Sequence, residues 1–291
     1  MMLGLLSLLF IEAFAQRPLT CSPDCPSHAL PFCNFSLSIN DRVTDLLQRM
    51  SLEDKITAFQ QPANRFVGIP ALNVKSFAWD ATCIHGLSTF NGILDPHRVS
   101  TVFAHAIAQA ATWDLDLISR VSTATQKELR SINVENYAAT GGDKWMGTSC
   151  DGGALANTVH DPRYGRASET FGEDPYLASE MAISMTRALQ NSSSDGRWVA
   201  ISTVIRHFLG FHYANDLSSG GEESVTSHFF EDQQAIPYRR ALVEGGAEGL
   251  MCAMSSFSID GGPQIPSCLH PYLWEKLRVD WGYTGFVQTD W

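Results

Sequence analysis

The sequence predicts an α/β fold built on parallel strands, arranged as a sheet or a barrel. Three observations carry this. Apolar, strand-like runs alternate with segments of helical period. Two of the runs lead into polar residues able to do chemistry: 198–205 into Arg206-His207, and 285–288 into Asp290. The Asp290 carboxylate follows the C-terminal end of its run, where barrels and open α/β sheets place catalytic side chains.

The elements follow in chain order. Residues 1–15 read as a signal peptide: an apolar run closes on Ala13-Phe14-Ala15, a small-residue cleavage pattern. Residues 16–38 read as a Cys/Pro-rich arm, in which Cys21, Cys25 and Cys33 suggest disulfide stapling. The chain has seven cysteines, so one is expected to stay unpaired or to pair outside these residues. Asn34-Phe-Ser and Asn191-Ser-Ser are N-glycosylation sequons. Together these features predict a secreted, extracellular glycoprotein.

From residue 39 the helical period takes over. Ile39, Val43, Leu46, Leu47 and Met50 form one apolar stripe of a helix over 39–60, with a new start near Ser51 marked by Glu53 and Asp54 in a first turn. Helices are expected over 100–112, 114–131, 176–190, 229–245 and 271–277. Strands are expected over 133–137, 154–158, 198–205, 249–255 and 285–288. The Ser/Gly-rich stretches 191–196 and 218–221 read as loops. After the signal peptide no run approaches the ~20 apolar residues of a membrane span, so no membrane insertion of the mature chain is expected. The formal net charge is -11 and no basic stripe is present, which argues against nucleic acid as a partner. A neutral extracellular substrate is compatible with that charge.

Four constellations carry chemistry. Asp290, just past an apolar strand, can be a nucleophile toward an acetal carbon, a general base, a metal ligand or a helix cap. The string from His160 to Pro175 packs four acids and two arginines into sixteen residues around Gly and Pro. It is either a surface loop with internal ion pairs or a polar site in which Arg163 and Arg166 grip an anion or a sugar diol. Arg206 and His207 sit together at a strand end and can face a pocket, or pack there. In Trp79-Asp-Ala-Thr-Cys-Ile-His-Gly86, Asp80 or His85 can hydrogen-bond a hydroxyl and Trp79 can form a platform for a sugar ring; the other reading is a buried Trp with a capping Asp. His207 and His212 lack the i, i+4 spacing of a helical zinc pair, so zinc is not expected. No Gly-x-Gly-x-x-Gly, phosphate loop or Gly-x-Ser-x-Gly elbow occurs, which removes the simplest dehydrogenase, NTPase and serine-esterase readings.

Read in order, these segments resemble the N-terminal domain of family 3 glycoside hydrolases, with the secreted β-xylosidase and α-L-arabinofuranosidase branch nearest in look. The residues that carry the resemblance begin with Pro31-Phe-Cys-Asn-Phe-Ser-Leu-Ser, Asp41-Arg-Val, Met50-Ser-Leu-Glu-Asp-Lys55, Ile84-His-Gly86 and Ala110-Ala-Thr-Trp-Asp114. They continue through Asp161–Pro175, Arg206-His-Phe208, Gly249-Leu-Met-Cys252 and 285–291. The string Asp-Pro-Arg-Tyr-Gly-Arg…Glu-Thr-Phe-Gly-Glu-Asp-Pro is the most specific part. The resemblance implies a (β/α)8 TIM-like barrel over 39–291, C-terminally truncated. It implies a retaining exo-hydrolase with Asp290 as nucleophile, and Arg166, Arg206 and His207 on the hydroxyls of the terminal sugar. The substrate would be an oligosaccharide or a polysaccharide-derived chain, with terminal β-D-xylosyl or arabinosyl residues removed. No metal or organic cofactor is required. The acid/base Glu would lie in a further C-terminal domain, expected to be required for full activity.

Three departures from the family pattern stand out. Thr82 occupies the place of an acid that holds distal sugar hydroxyls, leaving Asp80 as the nearby substitute. Arg206 stands where Lys is usual, and Met254-Ser255 stands where Tyr-Asn is usual. They argue for altered substrate choice or weak activity. The alternatives are a β-glucosidase of the same family and a non-catalytic secreted carbohydrate-binding fragment.

Overall fold

The structure, a computed structural model, describes residues 20–59, 65–78, 82–87, 100–140, 149–192, 198–212 and 221–290. Residues 1–15, read from the sequence as a signal peptide, and Trp79 and Asp80 lie outside these. The chain divides into two compact units. One comprises 1–62, 66–77 and 135–144, the other 63–65, 78–134 and 145–291.

The first unit contains helices α1 (Ile39–Arg49) and α2 (Leu52–Phe59). Ser38 starts α1 by accepting the Asp41 N–H at 3.1 Å, an N-cap. Met50, extended at ψ 132, separates α1 from α2, in keeping with the new helix start expected near Ser51. Cys21 and Cys33 are joined by a disulfide, while Cys25 is a free buried thiol. Asp45 ties the arm to α1 by accepting the Phe32 N–H at 3.1 Å, and Arg42 donates to the Phe32 carbonyl at 2.9 Å. Of the apolar stripe, Met50 is buried, whereas Ile39, Val43 and Leu47 are exposed.

The second unit is organised by a parallel sheet of order β3-β4-β6-β9. Two-residue strands β1 (Arg65–Phe66) and β2 (Phe77–Ala78) precede it in the chain. The sheet comprises β3 (Ser149–Leu155), β4 (Ser202–Phe208), β6 (Gly249–Cys252) and β9 (Phe286–Thr289). Every pairing is parallel, so all four C-terminal ends lie on one rim. Helices α5 (Pro175–Gln190) and α7 (Ala235–Val243) pack on the sheet and on each other. β4 is buried on both faces, so Thr203, Arg206 and His207 are enclosed together with Val204, Ile205 and Phe208. Gly249 is needed for close packing, since a Cβ there would lie 2.5 Å from the Phe286 ring. A smaller sheet joins β5 (Glu222–Val225), β7 (Ser256–Ile259) and β8 (Ile265–Pro266). Disulfides Cys83–Cys150 and Cys252–Cys268 cross-link this unit.

Among the described residues, further α-helices are α3 (Ala106–Ala110), α4 (Leu115–Thr140), α6 (Ser227–Phe229) and α8 (Pro271–Trp274). Residues 133–137, expected as a strand, are helical and belong to α4. Its buried face (Ile118, Ser122, Thr125, Gln126, Leu129 and Asn133) repeats at helical spacing but is mostly polar, so the apolar period fades before the helix does. Of the helix expected over 100–112 only α3 forms. The helix expected over 229–245 contains a π-helical segment, Phe230–Gln234, ahead of α7. The strand expected over 249–255 stops at Cys252.

Candidate active site

The rim of the parallel sheet gathers the polar residues. Asp290 follows β9, and its N–H donates to the Cys252 carbonyl of β6 at 3.2 Å, which continues the ladder by one step. The carboxylate is thereby carried to the strand end with a side chain only 4% exposed. Arg206 and His207 lie on β4 where its register against β6 shifts between Ile205 and Phe208. Such an irregularity re-aims side chains. A cis peptide bond links the two residues.

His207 Nε2 lies 3.7 Å from Asp290 Oδ2. That is too long for a hydrogen bond. Burial, followed by the charges of Arg206 and Arg166, pushes the His207 pKa well below its ordinary value, so the ring is neutral at neutral pH. Its contact with Asp290 is therefore one of a neutral ring with a carboxylate. Arg166 Nη1 approaches His207 Nε2 at 3.3 Å. A guanidinium only donates, so Nε2 accepts and the ring proton is assigned to Nδ1.

The charge-dense loop divides into two halves. Asp161 and Arg163 pair with each other, with the arginine side chain 79% exposed; this half fits the reading of a surface loop with internal ion pairs. The other half turns inward. Arg166 holds Glu169 through Nε at 2.8 Å and Nη2 at 2.6 Å. Arg206 Nη2 reaches the same carboxylate at 3.9 Å. Burial opposes both charges of the Arg166–Glu169 pair, but their mutual hydrogen bonds prevail: the Arg166 pKa rises and the Glu169 pKa falls. The Arg166 guanidinium also lies 5.4 Å from the Phe211 ring centroid, and the His207 and Phe211 rings lie 4.6 Å apart.

The structure thus brings together Arg166, Arg206, His207 and Asp290, four of the five residues singled out from the sequence. The fifth, Asp80, lies outside the described residues. Sequence reasoning missed Glu169, although its i, i+3 spacing from Arg166 in the same string was a usable signal. It also missed Asn157, which holds the His207 backbone. Asn157 Oδ1 accepts the His207 N–H at 2.8 Å, and its Nδ2 lies 3.3 Å from the His207 carbonyl. Tyr238 donates to that same carbonyl at 2.7 Å. Among the described residues no group of three or more His, Cys, Asp or Glu is placed to hold a metal ion.

The parallel α/β fold agrees with the comparisons. Residues 146–291 match the glycosyl hydrolase family 3 N terminal domain. The chain belongs to that family. Probable β-D-xylosidase 7 of Arabidopsis thaliana is 30% identical over 98% of this chain. The β-xylosidase of Formosa agariphila is 27% identical over 99% of it. The chain spans 37% and 35% of these two relatives' own lengths. Among solved structures, the exo-β-xylosidase XlnD superposes with a TM-score of 0.75 at 23% identity, covering 91% of this chain and 33% of that one. DesR, a β-glucosidase from Streptomyces venezuelae, gives 0.61 at 23% identity, covering 86% of this chain and 29% of that one. These likenesses establish the fold.

Proposed function

We propose that this protein acts as a retaining, exo-acting glycosidase that removes terminal β-D-xylosyl or arabinosyl residues from xylan-derived oligosaccharides, with Asp290 as its nucleophile. The observation that carries the reading is the placement of Asp290, buried at the C-terminal end of a parallel strand beside His207 and within the field of Arg166. The parallel strands β3-β4-β6-β9 are read as an arc of a (β/α)8 barrel, whose C-terminal rim is the usual place for catalysis. The names of the relatives favour a xyloside.

In this reading Asp290 attacks the anomeric carbon through an oxocarbenium-like transition state, and the bond to the leaving oxygen breaks as the glycosyl–enzyme bond forms. Arg166, Arg206 and His207 hold sugar hydroxyls and fix the ring for attack. The acid that protonates the leaving oxygen is assigned to a carboxyl group outside residues 1–291, ~5–5.5 Å from Asp290 in the assembled site. Without it a poor leaving group would depart ~10²–10⁴ more slowly, whereas a dinitrophenolate needs no protonation. Residues 1–15 are proposed to direct the chain out of the cell, with Asn34 and Asn191 as its glycan sites.

That difference in leaving group supplies the test. The purified chain is incubated with 2,4-dinitrophenyl 2-deoxy-2-fluoro-β-D-xyloside and with the matching glucoside, then digested and mapped by mass spectrometry. The expected result is a fluoroxylosyl adduct on the peptide that contains Asp290. Preferential labelling by the glucoside would make the protein a β-glucosidase. An adduct on another carboxylate, or none with either reagent, would overturn the assignment. Xylobiose binding without an adduct would leave a carbohydrate-binding protein.

A further inference from the structure

Behind the rim lies a buried string of polar side chains with no place in the chemistry above. Gln234 Nε2 donates to Glu223 Oε1 at 2.6 Å. Glu223 Oε2 accepts the backbone N–H of His212 at 3.1 Å, and the His212 ring nitrogen Nδ1 lies 3.2 Å from the same carboxylate. On the other side of the ring, His212 Nε2 lies 3.3 Å from Asn157 Nδ2. Asn157 Nδ2 also faces the carbonyls of His207 at 3.3 Å and Gly210 at 3.1 Å, while its Oδ1 accepts the His207 N–H. Glu223, His212 and Asn157 are 3%, 1% and 0% exposed, so water does not substitute for any of these bonds.

The contacts fix the orientation of each group. Asn157 must point Oδ1 at the His207 N–H and Nδ2 at the two carbonyls. Nδ2 therefore meets His212 Nε2 as a donor, and Nε2 must offer a lone pair. The ring proton then sits on Nδ1, where Glu223 accepts it. Glu223 thus selects the His212 tautomer that Asn157 requires.

The segment this string holds is strained. Leu209 and Phe211 have φ of 64° and 72°, values costly for residues with a side chain, and Gly210 between them has φ of 96°. Asn157 holds the Gly210 carbonyl, Ser267 Oγ holds the Leu209 carbonyl at 2.5 Å, and Glu223 holds the His212 N–H. The turn follows His207 at once and carries Phe211, against which both His207 and Arg166 pack.

We infer that Glu223 and His212 are positioning residues for the site, acting through Asn157 to fix the 207–212 turn and with it the place of His207 beside Asp290. In its effect on catalysis this inference rests on the glycosidase reading; in its effect on His207 it does not.

The test follows the ring nitrogens of the nine histidines in long-range ¹H–¹⁵N spectra, together with kcat and KM on an aryl xyloside. Removing one partner would strand a buried polar group and can prevent folding. The working variant is therefore the double replacement Glu223→Leu/His212→Phe, which leaves no unpaired charge. It is expected to fold, to shift the His207 ring signals and to lower kcat about 10-fold or more with a smaller change in KM. Glu223→Gln retains an oxygen for His212, and Gln234, whose Oε1 has no hydrogen-bond partner among the described residues, can turn to accept from the new amide. This variant is expected to keep the His207 signals and kcat near those of the parent. Unchanged His207 signals and kcat in the folded double variant would overturn the inference, as would a Glu223→Gln protein that behaves like the double variant. His207 signals that move in a protein that shows no turnover and takes no fluoroglycosyl adduct in any form would sustain the positioning role and sink the glycosidase reading.

Discussion

Arg166 holds both oxygens of Glu169, at 2.8 and 2.6 Å, and still presents Nη1 to the His207 ring at 3.3 Å. One guanidinium plane thus spans a carboxylate and the imidazole next to Asp290. Its rigidity comes from the bidentate pair, a geometry that a lysine ammonium cannot reproduce.

Arg166→Ala should therefore harm both stability and activity. It leaves Glu169 as a largely buried carboxylate without its main partner, a change that costs about 3–5 kcal/mol. Arg166→Ala/Glu169→Leu should recover much of that stability while activity stays low. Urea titration paired with aryl-xyloside kinetics on the two variants would check this. Equal loss of stability in both would show that the pair is not the source.

Asp290→Asn keeps the size of the side chain and removes the proposed nucleophile. Turnover should fall by about 10³-fold or more, which is about 4 kcal/mol of barrier, while xylobiose affinity changes little. Calorimetric titration beside turnover on the same preparation distinguishes this from a collapsed site, in which both would be lost.

Acid should destabilise the second unit in two stages. His160 is held down to about 4, chiefly by burial, and burial also holds His207 well below its ordinary value. The unfolded chain takes up those protons near pH 6.5 and the folded one only at lower pH, so stability present above 6.5 falls as the pH drops below it. Glu169 and Glu223 are also depressed, so the stability they contribute above about 4.5 is lost as the pH falls through their folded values. Each such proton steepens the fall by up to about 1.4 kcal/mol per pH unit. Thermal melts from pH 7 to 4 should show the decline, and His160→Phe should flatten its upper part. A melting temperature constant between pH 6.5 and 5 would contradict this.

Removing the Cys252–Cys268 cystine should cost about 3 kcal/mol, the entropy of freeing a loop of this size. Cys252 also supplies the carbonyl that receives the Asp290 N–H. Cys252→Ala/Cys268→Ala should therefore unfold at lower denaturant concentration and lose turnover even where it remains folded. Unchanged turnover in the folded variant would show that β6 keeps its place without the cross-link.

The parts of this site that the sequence displayed share one property: their chemistry is dense and local. Arg166 lies in a loop too rich in charge and turn residues to be accidental, and Asp290 and His207 follow apolar runs that read as strands. Glu169 lay in view, but its role depends on the loop turning Arg166 inward while Arg163 stays on the surface, and composition does not distinguish the two arginines. Asn157 and Glu223 left no local mark, because each acts on backbone or side chains far away in sequence. The same reason hid β5: Glu222-Glu223 opens it with two carboxylates, and Glu223 is buried only because His212 and Gln234 meet it there. In α4 the failure ran the other way, since its mostly polar buried face masked a helical period that continues to Thr140.

Asn157, His207 and Asp290 follow or end three different strands, β3, β4 and β9, drawn from distant parts of the chain. The backbone hydrogen bonds of helices such as α5 and α7 join residues close in sequence. The rim exists only once parallel strands with long intervening segments have found their registers, the kind of contact that forms slowly. Function in this molecule is thus a late reporter of folding. A chain arrested partway would show much of its native helical signal yet lack any trace of the site.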